Sequence, residues 1–600
     1  MEPPKRDLET GGFFSILGGK MDKDKLNKMR HSCEHVLTMA VLKLYPGIKM
    51  AMGPATDDGF YFDFDEGSKL LREDDFGKIE KEMAYIITAD LPINHEEVEI
   101  DKAREIFIDN EYKLEWIKEI EDRGEKKVDL YRIADFVDLC SGPHVESTGK
   151  IGPFKLLSVA GAYWRGDEKN KMLKRIYGTC FEDKKSLERY LWVIEEAKKR
   201  DHKKLGKELD LFLIDESVGV GLPIILPKGN VIIKELQKYI RGVQEEKGYQ
   251  EIISPHVGKK SLWETSGHWQ HYREFMYPVM KVEKEDYLIK TMNCPFHILV
   301  YKNKKRSYRE LPFKVSEFAT VYRYEKSGEL NGLLRVREIT QDDGHIFCKE
   351  DQLENEIWEV VEMTINHFKR LKMNDYVMRL SLRDKKKKDD YLGEDKVWDM
   401  AETALRKVLI KNKVNYFEGV GEAAFYGPKI DPIVKDVLGR EWQFGTIQVD
   451  FMLTERFDLK YVDKDGKEKS PVMIHRAPMG SFERTLGVLI EHFGGAFPCW
   501  LAPVQIKIMP ISEKQIGWAK ELGRELRKNG LRVEIDDKNE PIGAKIRNGE
   551  MEKIPYMLIV GKREEEKGVV SVRKRGEKDL GVMNVNDFIA RIKEDVAKCD

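Results

Sequence analysis

The sequence predicts an α+β protein of several domains, and three observations carry that prediction. The chain is 600 residues long and 41% hydrophobic, enough for roughly three to five cores of ordinary size. Helix-period and strand-period patterns both recur along it, with no internal repeat. The pattern also changes character twice, at a charged helical stretch over residues 184–209 and again after WLAP at residues 500–503. These breaks divide the chain into a leader (1–24) too short for a domain, an α+β domain (25–183), a helical connector (184–209), a long aromatic-rich block (210–503) and a compact α/β domain (504–600).

Each element follows from its local pattern. Met29, Cys33, Val36, Ala40 and Leu44 recur at three-four spacing and predict a helix from Lys25 to Leu44, and YPGIKMAMGPATDDGFYFDF then reads as turns alternating with short strands. In the connector, Leu187, Tyr190, Leu191 and Ile194 share one helical face, with Lys198, Lys199, Arg200, Lys203 and Lys204 gathered toward its end. That basic cluster fits a solvated face as well as a phosphate-touching one. RDKKKKDD at 383–390 reads as an exposed loop. After residue 503, the strands VQIKIMPI, LRVEIDD, YMLIVG and VVSVRKR alternate with amphipathic helices such as EKQIGWAKELGRELRKNG and VNDFIARIKEDVAK.

Composition narrows the function classes. With 104 basic against 106 acidic residues the net charge is −2, so any nucleic-acid contact must come from local patches. Seven scattered cysteines, an odd number, suit reduced thiols in the cytoplasm better than a secreted disulfide framework. No apolar run approaches a membrane span and the N-terminus lacks a signal-peptide core, so a cytoplasmic protein with no membrane partner is expected. There is neither a P-loop nor a GxGxxG fingerprint.

Three segments of the central block carry groups suited to phosphate and carboxylate. In FATVYRYEKSGELNGLLRVREITQDDGHIF, Arg323 and Glu325 share one face of a strand-like run, and Arg335 and Arg337 recur after a Gly-containing turn. Guanidinium forks there could hold phosphate or carboxylate oxygens bidentately, though strand arginines also make surface salt bridges. GREWQFGTIQVDF offers Gln443, Thr446 and Gln448 as neutral partners beside Gly445, and HRAPMGSFERTLGVLIEHF sets Gly480 and Ser481 before an amphipathic helix containing Arg484.

These segments resemble motifs 2 and 3 of the class II aminoacyl-tRNA synthetases, and GYQEIISPHV around Pro255 resembles motif 1, the subunit-interface element. With MNCPFH, QDDGHIF, AFYGPKID and PVMIHR the resemblance narrows to the threonyl-tRNA synthetase family, from about residue 27 to the C-terminus. It implies a class II antiparallel sheet with flanking helices, an α/β editing domain, a mixed α/β anticodon-binding domain and a homodimer. The further small N-terminal domain common in the family is not expected in a leader of this length.

By that resemblance Cys294, His345 and His475 are zinc ligands, a thiolate and two imidazoles that leave a coordination position open for substrate. Asp343 would accept the hydroxyl of L-threonine. Arg323 would bridge the amino-acid carboxylate and the ATP α-phosphate, Arg335 would reach the γ-phosphate, and Arg484 would stack over adenine. Gln341, Tyr426, Lys429, Gln443, Thr446 and Gln448 would line the pocket, Glu325 would belong to the ATP site, and His268 would lie near the terminal ribose of tRNA(Thr). Mg²⁺ would accompany ATP. Two residues depart from the family pattern: Ile339 stands where a Phe usually packs on adenine, and Phe296 where glycine is usual, so the zinc pocket could be tightened or reshaped.

In the first domain, HSCEH and DLCSGPH supply His31, His35, Cys140 and His144. Three readings are open. HSCEH fits an inverted zincin with Glu34 as general base, the four residues satisfy a structural zinc set, and the family resemblance, strengthened by AGAYWRGDEKNKMLKRIYGT, implies a metal-free proofreading site that also uses Lys113 and Asp138. In the last domain, Arg573 and Arg575 share a strand face by period two. With Glu565 they are expected anticodon contacts.

Overall fold

The computed structural model describes residues 22–67, 69–577 and 579–599. Residues 1–21 of the expected leader lie outside the described residues. The chain forms two compact units that divide between Glu196 and Ala197.

The first unit is built on the helix Lys23–Leu44, which starts two residues earlier than predicted because Asp22 caps the amides of Asp24 and Lys25. One face packs Leu26, Cys33, Val36, Leu37, Ala40 and Val41 into the core. The same helix also buries Arg30, Ser32, Glu34, His35 and Thr38, a density of polar groups that only a site or a hydrogen-bond network sustains. The strands pair antiparallel in a five-stranded sheet around Gly59–Asp65 and Met172–Cys180 and in a three-stranded sheet over Asn94–Glu99, Lys127–Ile133 and Phe136–Leu139.

The predicted connector is two helices rather than one. Lys184–Arg200 ends before Asp201, whose carboxylate takes the amides of Lys203 and Lys204 and starts His202–Glu208 afresh. An aspartate in mid-pattern competes as an N-cap, and here it wins.

The second unit holds a nine-stranded sheet whose central ladders are antiparallel. Its order from one edge is Gln250–Glu251, Phe313–Tyr322, Glu338–Cys348, Val472–Ala477, Thr446–Asp450, Lys429–Lys435, Tyr376–Leu382 and Tyr416–Val420, with Glu441–Gln443 beside Lys429–Lys435. The antiparallel sheet expected is thus present, and its two edge pairs are parallel. Tyr416–Val420 returns beside Tyr376–Leu382 after crossing through the helix Asp395–Lys411, and a helical crossover delivers a parallel strand. Helices Leu353–Arg370 and Asp395–Lys411 cover the apolar core around Leu380, Ile430, Ile447 and Ile474. Residues 506–592 close a separate core around Ile506, Tyr556, Leu558 and Phe588, on a sheet that is parallel in its first three strands and antiparallel in its last three. Among the described residues no helix is long and apolar enough to cross a membrane.

Removing an N-cap costs about 1 kcal/mol, or a factor of about five in local opening. Asp201→Ala should therefore speed hydrogen exchange of the Lys203 and Lys204 amides by about that factor while leaving the Lys184–Arg200 helix unchanged. Unchanged exchange at both amides would show that packing alone sets the break.

Candidate functional site

The register of the central sheet aligns chemistry from four strands. His345 lies opposite His475, His475 opposite Gln448, and Gln448 opposite Lys429, in one row across the sheet. Strand side chains alternate faces, so one row presents one functional surface. Cys294 joins that row from the first turn of the helix Cys294–Lys302, and its sulfur and the ring nitrogens of His345 and His475 lie within 4.8 Å of one another.

The hydrogen bonds around this trio fit a metal cation. His475 Nε2 lies 2.9 Å from the Asp450 carboxylate, which assigns the ring proton there and leaves Nδ1 as a lone pair. That lone pair faces His345 Nε2 at 2.9 Å. His345 Nδ1 meets His297 Nδ1 at 2.8 Å, and His297 Nε2 meets Glu317 at 3.2 Å, so the second imidazole is also anchored through its far side. Burial holds His345 neutral and pushes the Cys294 thiol up. Two facing imidazole lone pairs beside a buried thiol repel or waste one another unless a cation sits among them, and binding one would draw the thiol proton off.

The other expected residues gather around the same cleft. Asp343 accepts from Asn293 Nδ2 at 2.8 Å, and the Tyr426 hydroxyl donates to Gln448 at 2.6 Å. Gln341 bridges to Ser481, which caps the helix Phe482–Phe493. The Arg484 guanidinium donates to the carbonyls of Leu334 and Gln443. Arg323 keeps a buried Nε with no partner among the described residues, an arrangement that awaits an anionic ligand. Its strand ends at Tyr322 and the next begins at Glu338, so Arg323, Glu325, Arg335 and Arg337 sit on the loop between strands rather than on the expected strand faces. Arg335 is ion-paired with Glu325 and Glu329, both at 2.9 Å. His268 is fully buried against Cys294, 3.8 Å from its sulfur, and desolvation lowers its pKa to about 3.

The departures are accommodated locally. Phe296 packs edge-on against Trp263 beside Gly258. Ile339 lies half-buried in register with Val321.

Several functional groups escaped sequence reasoning. Asp431, completely buried, accepts from Arg379, Ser381, Gln443 and Thr446 at 2.7–3.1 Å and pairs with Lys429 at 3.1 Å, so one carboxylate fixes three of the expected pocket residues. Its period-two relation to Lys429 in KIDPIVK was the available signal. Asn293, His297, Glu317 and Asp450 had none, because their roles exist only through distant partners.

In the first unit, His31, His35, Cys140 and His144 converge within 4.8 Å of one another. Cys140 Sγ lies 3.1 Å from His31 and 3.3 Å from His144, and Ser32 Oγ reaches His144 Nδ1 at 3.2 Å. Lys113 and Asp138 form a buried ion pair, and Asp138 also sits 3.4 Å from His35. Glu34 is buried beside them, and Gly53 permits this because a Cβ there would lie 2.6 Å from its carboxylate. Burial depresses the histidine pKa values, that of His144 to about 2, and raises the Cys140 thiol to about 12. The walls of the adjoining cavity of about 540 Å³ include His31, Lys113, Asp138 and Cys140. It can seat a polar ligand among neutral imidazoles and one buried ammonium. Among the described residues, the group around His31 and His35 is completed by Cys140 and His144, neither of which lies on a helix, so the third helical ligand that a zincin needs is not in this cluster.

In the last domain Glu565 holds Gln515 at 3.2 Å. Arg573 lies in the strand Val569–Lys574, but Arg575 falls beyond its end and does not share that face. Its guanidinium turns inward to the carbonyls of Ala496, Phe497 and Lys553, which it straps together instead of facing solvent for a base.

Comparison with known proteins accounts for these parts. Residues 277–493 match the tRNA synthetase class II core domain (G, H, P, S and T), residues 505–595 an anticodon binding domain, and residues 128–177 the threonyl and alanyl tRNA synthetase second additional domain. The chain is 47% identical over 579 residues to the threonine–tRNA ligase of Sulfurihydrogenibium sp., covering 96% of this chain and 89% of that one, and 48% identical over 589 residues to that of Gloeobacter violaceus, covering 96% and 93%. Among solved structures, the RNA binding domain of threonyl-tRNA synthetase from Cryptosporidium parvum aligns at 37% identity with a TM-score of 0.63, over 66% of this chain and 98% of that one. A prolyl-tRNA synthetase of the same organism, at 18% identity and TM-score 0.51 over 66% and 75%, shares the fold.

The buried histidines of the first unit make it sensitive to acid. Their pKa values are depressed in the folded state, so below about 6.5 each binds more protons in the unfolded chain and its contribution to stability falls as pH falls, by up to about 1.4 kcal/mol per pH unit, while the raised carboxyls of Glu34 and Asp138 act in the opposite sense. Hydrogen exchange in residues 23–44, corrected for its intrinsic rate, should accelerate between pH 7 and pH 5, and less so in His144→Asn. An identical acid response in that variant would remove His144 from the account.

Proposed function

The chain belongs to the threonine–tRNA ligase family, and from that premise we propose how its residues divide the work. It activates threonine with ATP, transfers the threonyl group to tRNA, and edits mischarged tRNA in its first domain. The row His345, His475, Gln448 and Lys429 with Cys294 beside it is the observation that best supports the division.

Cys294, His345 and His475 would hold zinc, which would supply a Lewis acid for recognition of the amino acid. Asp343, steadied by Asn293, accepts a hydrogen bond from the hydroxyl. Valine offers no such hydroxyl and leaves Asp343 with Asn293 alone. Arg323 spends its free Nε on the carboxylate and the ATP α-phosphate. Arg484 lies over adenine, Gln443 and Thr446 take the nucleotide edge, and Arg335 exchanges Glu325 and Glu329 for the γ-phosphate. The carboxylate oxygen attacks the α-phosphorus and pyrophosphate leaves, with Mg²⁺ and the arginines balancing charge that the dry pocket would otherwise leave exposed. A terminal ribose hydroxyl of tRNA(Thr) then attacks the carbonyl and AMP leaves. His268 contributes by packing on Cys294.

Serine keeps the hydroxyl and lacks one methyl, a difference worth about 1–3 kcal/mol, or roughly 10- to 200-fold. His31, His35, Cys140 and His144, with Lys113 held by Asp138, form the second site that hydrolyses seryl-tRNA, placing and deprotonating the attacking water. Glu565 and Arg573 read the anticodon, and Arg575 shapes the surface that presents them. Exposed Ile253, 95% accessible, with Leu213, Ile214, Val220 and Ile224, supports a homodimer through motif 1.

Pyrophosphate exchange across the twenty amino acids should peak at threonine and fall with a zinc chelator, and Cys294→Ala should lose metal and exchange together. Full exchange by metal-free protein would defeat the zinc assignment. Ile339→Phe should lower KM for ATP by roughly two- to tenfold, since aromatic stacking contributes on the order of 0.5–1.5 kcal/mol; an unchanged KM would place the adenine elsewhere. Double substitution of His31 and His35 by alanine should abolish seryl-tRNA deacylation but spare exchange, and equal deacylation by wild type and variant would remove these residues from editing.

A further inference from the structure

His202 stands at the start of the short connector helix, outside every segment assigned a role above, yet it is 1% exposed and has all its polar atoms engaged. Its backbone N–H donates to Glu491 Oε1 at 3.1 Å, and Nδ1 lies 2.6 Å from the same oxygen. Nε2 accepts the backbone N–H of Leu333 at 3.1 Å. An amide can only donate, so Nε2 carries the lone pair and Nδ1 the proton. One neutral imidazole thus links a carboxylate to a backbone amide.

Both ends of that link lead to the ATP site. Leu333 belongs to the turn closed by Asn331 and Arg335, whose backbones exchange hydrogen bonds at 3.1 and 3.3 Å, so fixing Leu333 fixes the base of Arg335. Gly332 makes the approach possible, since a Cβ there would lie 2.1 Å from His202 Nε2. The next connector residue, Lys203, reaches the Asn331 side chain at 3.3 Å. At the other end Glu491 sits two helical turns beyond Arg484 and pairs with Arg440 at 2.5 Å, and Arg440 with Asp436 secures the turn that opens the strand of Gln443.

We propose that His202 is a positioning residue of the ATP site: its Nε2 holds the 331–335 turn so that Arg335 is presented to the γ-phosphate, which makes the connector helix part of the activation machinery. The inference rests on the reading of Arg335 given above. It predicts an effect on ATP and not on threonine, because the metal row and Asp343 have no contact with His202.

The test is pyrophosphate exchange by the full-length, zinc-loaded enzyme, with KM for ATP and for threonine measured separately. His202→Asn retains a δ-amide that can donate to Glu491 but cannot reach Leu333, whereas His202→Gln brings an amide oxygen to the position of Nε2. Loss of one hydrogen bond corresponds to about a tenfold change. H202N should raise KM for ATP by about that factor with KM for threonine and the melting temperature held, H202Q should recover most of it, and H202N should add less than about twofold in an Arg335→Ala background. A KM for ATP in H202N within about twofold of wild type overturns the proposal. So does an equal rise in both Michaelis constants, equal behaviour of H202N and H202Q, or fully multiplicative effects in the double variant. If Arg335→Ala alone leaves KM for ATP unchanged, the γ-phosphate reading fails, and that result is separable from failure of the His202 link.

Discussion

The hydrogen-bond register shared by Glu338–Cys348, Val472–Ala477, Thr446–Asp450 and Lys429–Lys435 is the constraint on which the catalytic unit depends. It sets His345, His475, Gln448 and Lys429 in one row. A slip of one residue in any of these strands would send its member of the row to the opposite face, into the apolar layer of Ile346, Ile474 and Ile447. That layer would at the same time lose its side chains to the cleft. The hydrophobic alternation that builds the core and the alternation that builds the site are therefore one pattern, and burial of the isoleucines enforces the geometry of the polar residues between them.

Both sites use desolvation to the same end by different means. In the catalytic cleft, burial keeps His345 neutral while Asp450 and the His297–Glu317 pair fix the far sides of the two imidazoles. In the first unit, burial depresses His31, His35 and His144, and beside them lie the Lys113–Asp138 pair and Glu34, whose carboxyl is shifted by burial toward its neutral form. Breaking such a buried pair typically costs 3–5 kcal/mol because it leaves an uncompensated charge. The unpaired Nε of Arg323 and the paired guanidinium of Arg335 mark the contrast within the catalytic unit: one buried N–H has no acceptor among the described residues, and the other guanidinium is held by two carboxylates.

Rigidity around the nucleotide is supplied from outside the reacting groups. Asp431 spreads five contacts over Arg379, Ser381, Lys429, Gln443 and Thr446, and Asp342, pinned to the amides of Met479 and Gly480, ties the strand of Asp343 to the loop before Arg484. His202 and Glu491 do the same for the loop of Arg335. Preorganised donors cost no reorientation when charge develops, and these buried anchors are what holds such donors in place here.

The sequence by itself determined the family and those elements whose pattern is strong, because apolar periodicity and motif residues are local signals: the 25–44 stripe, the strand and helix alternation after residue 503, and QDDGHIF or HRAPMGS are each legible within a few residues. It also named the members of both polar clusters, though from the motifs rather than from any geometry. Tertiary structure alone decided what those members do to each other. The break at Asp201 was hidden because a cap competes with a continuing helix on a small energy difference. The strap made by Arg575, the packing of Phe296 on Trp263 and the anchoring of His345 through His297 depend on partners that are tens of residues distant in the chain. A side chain's identity is written in the chain, but its hydrogen-bond partner, its protonation state and its exposure are set by which distant strand or helix packs beside it.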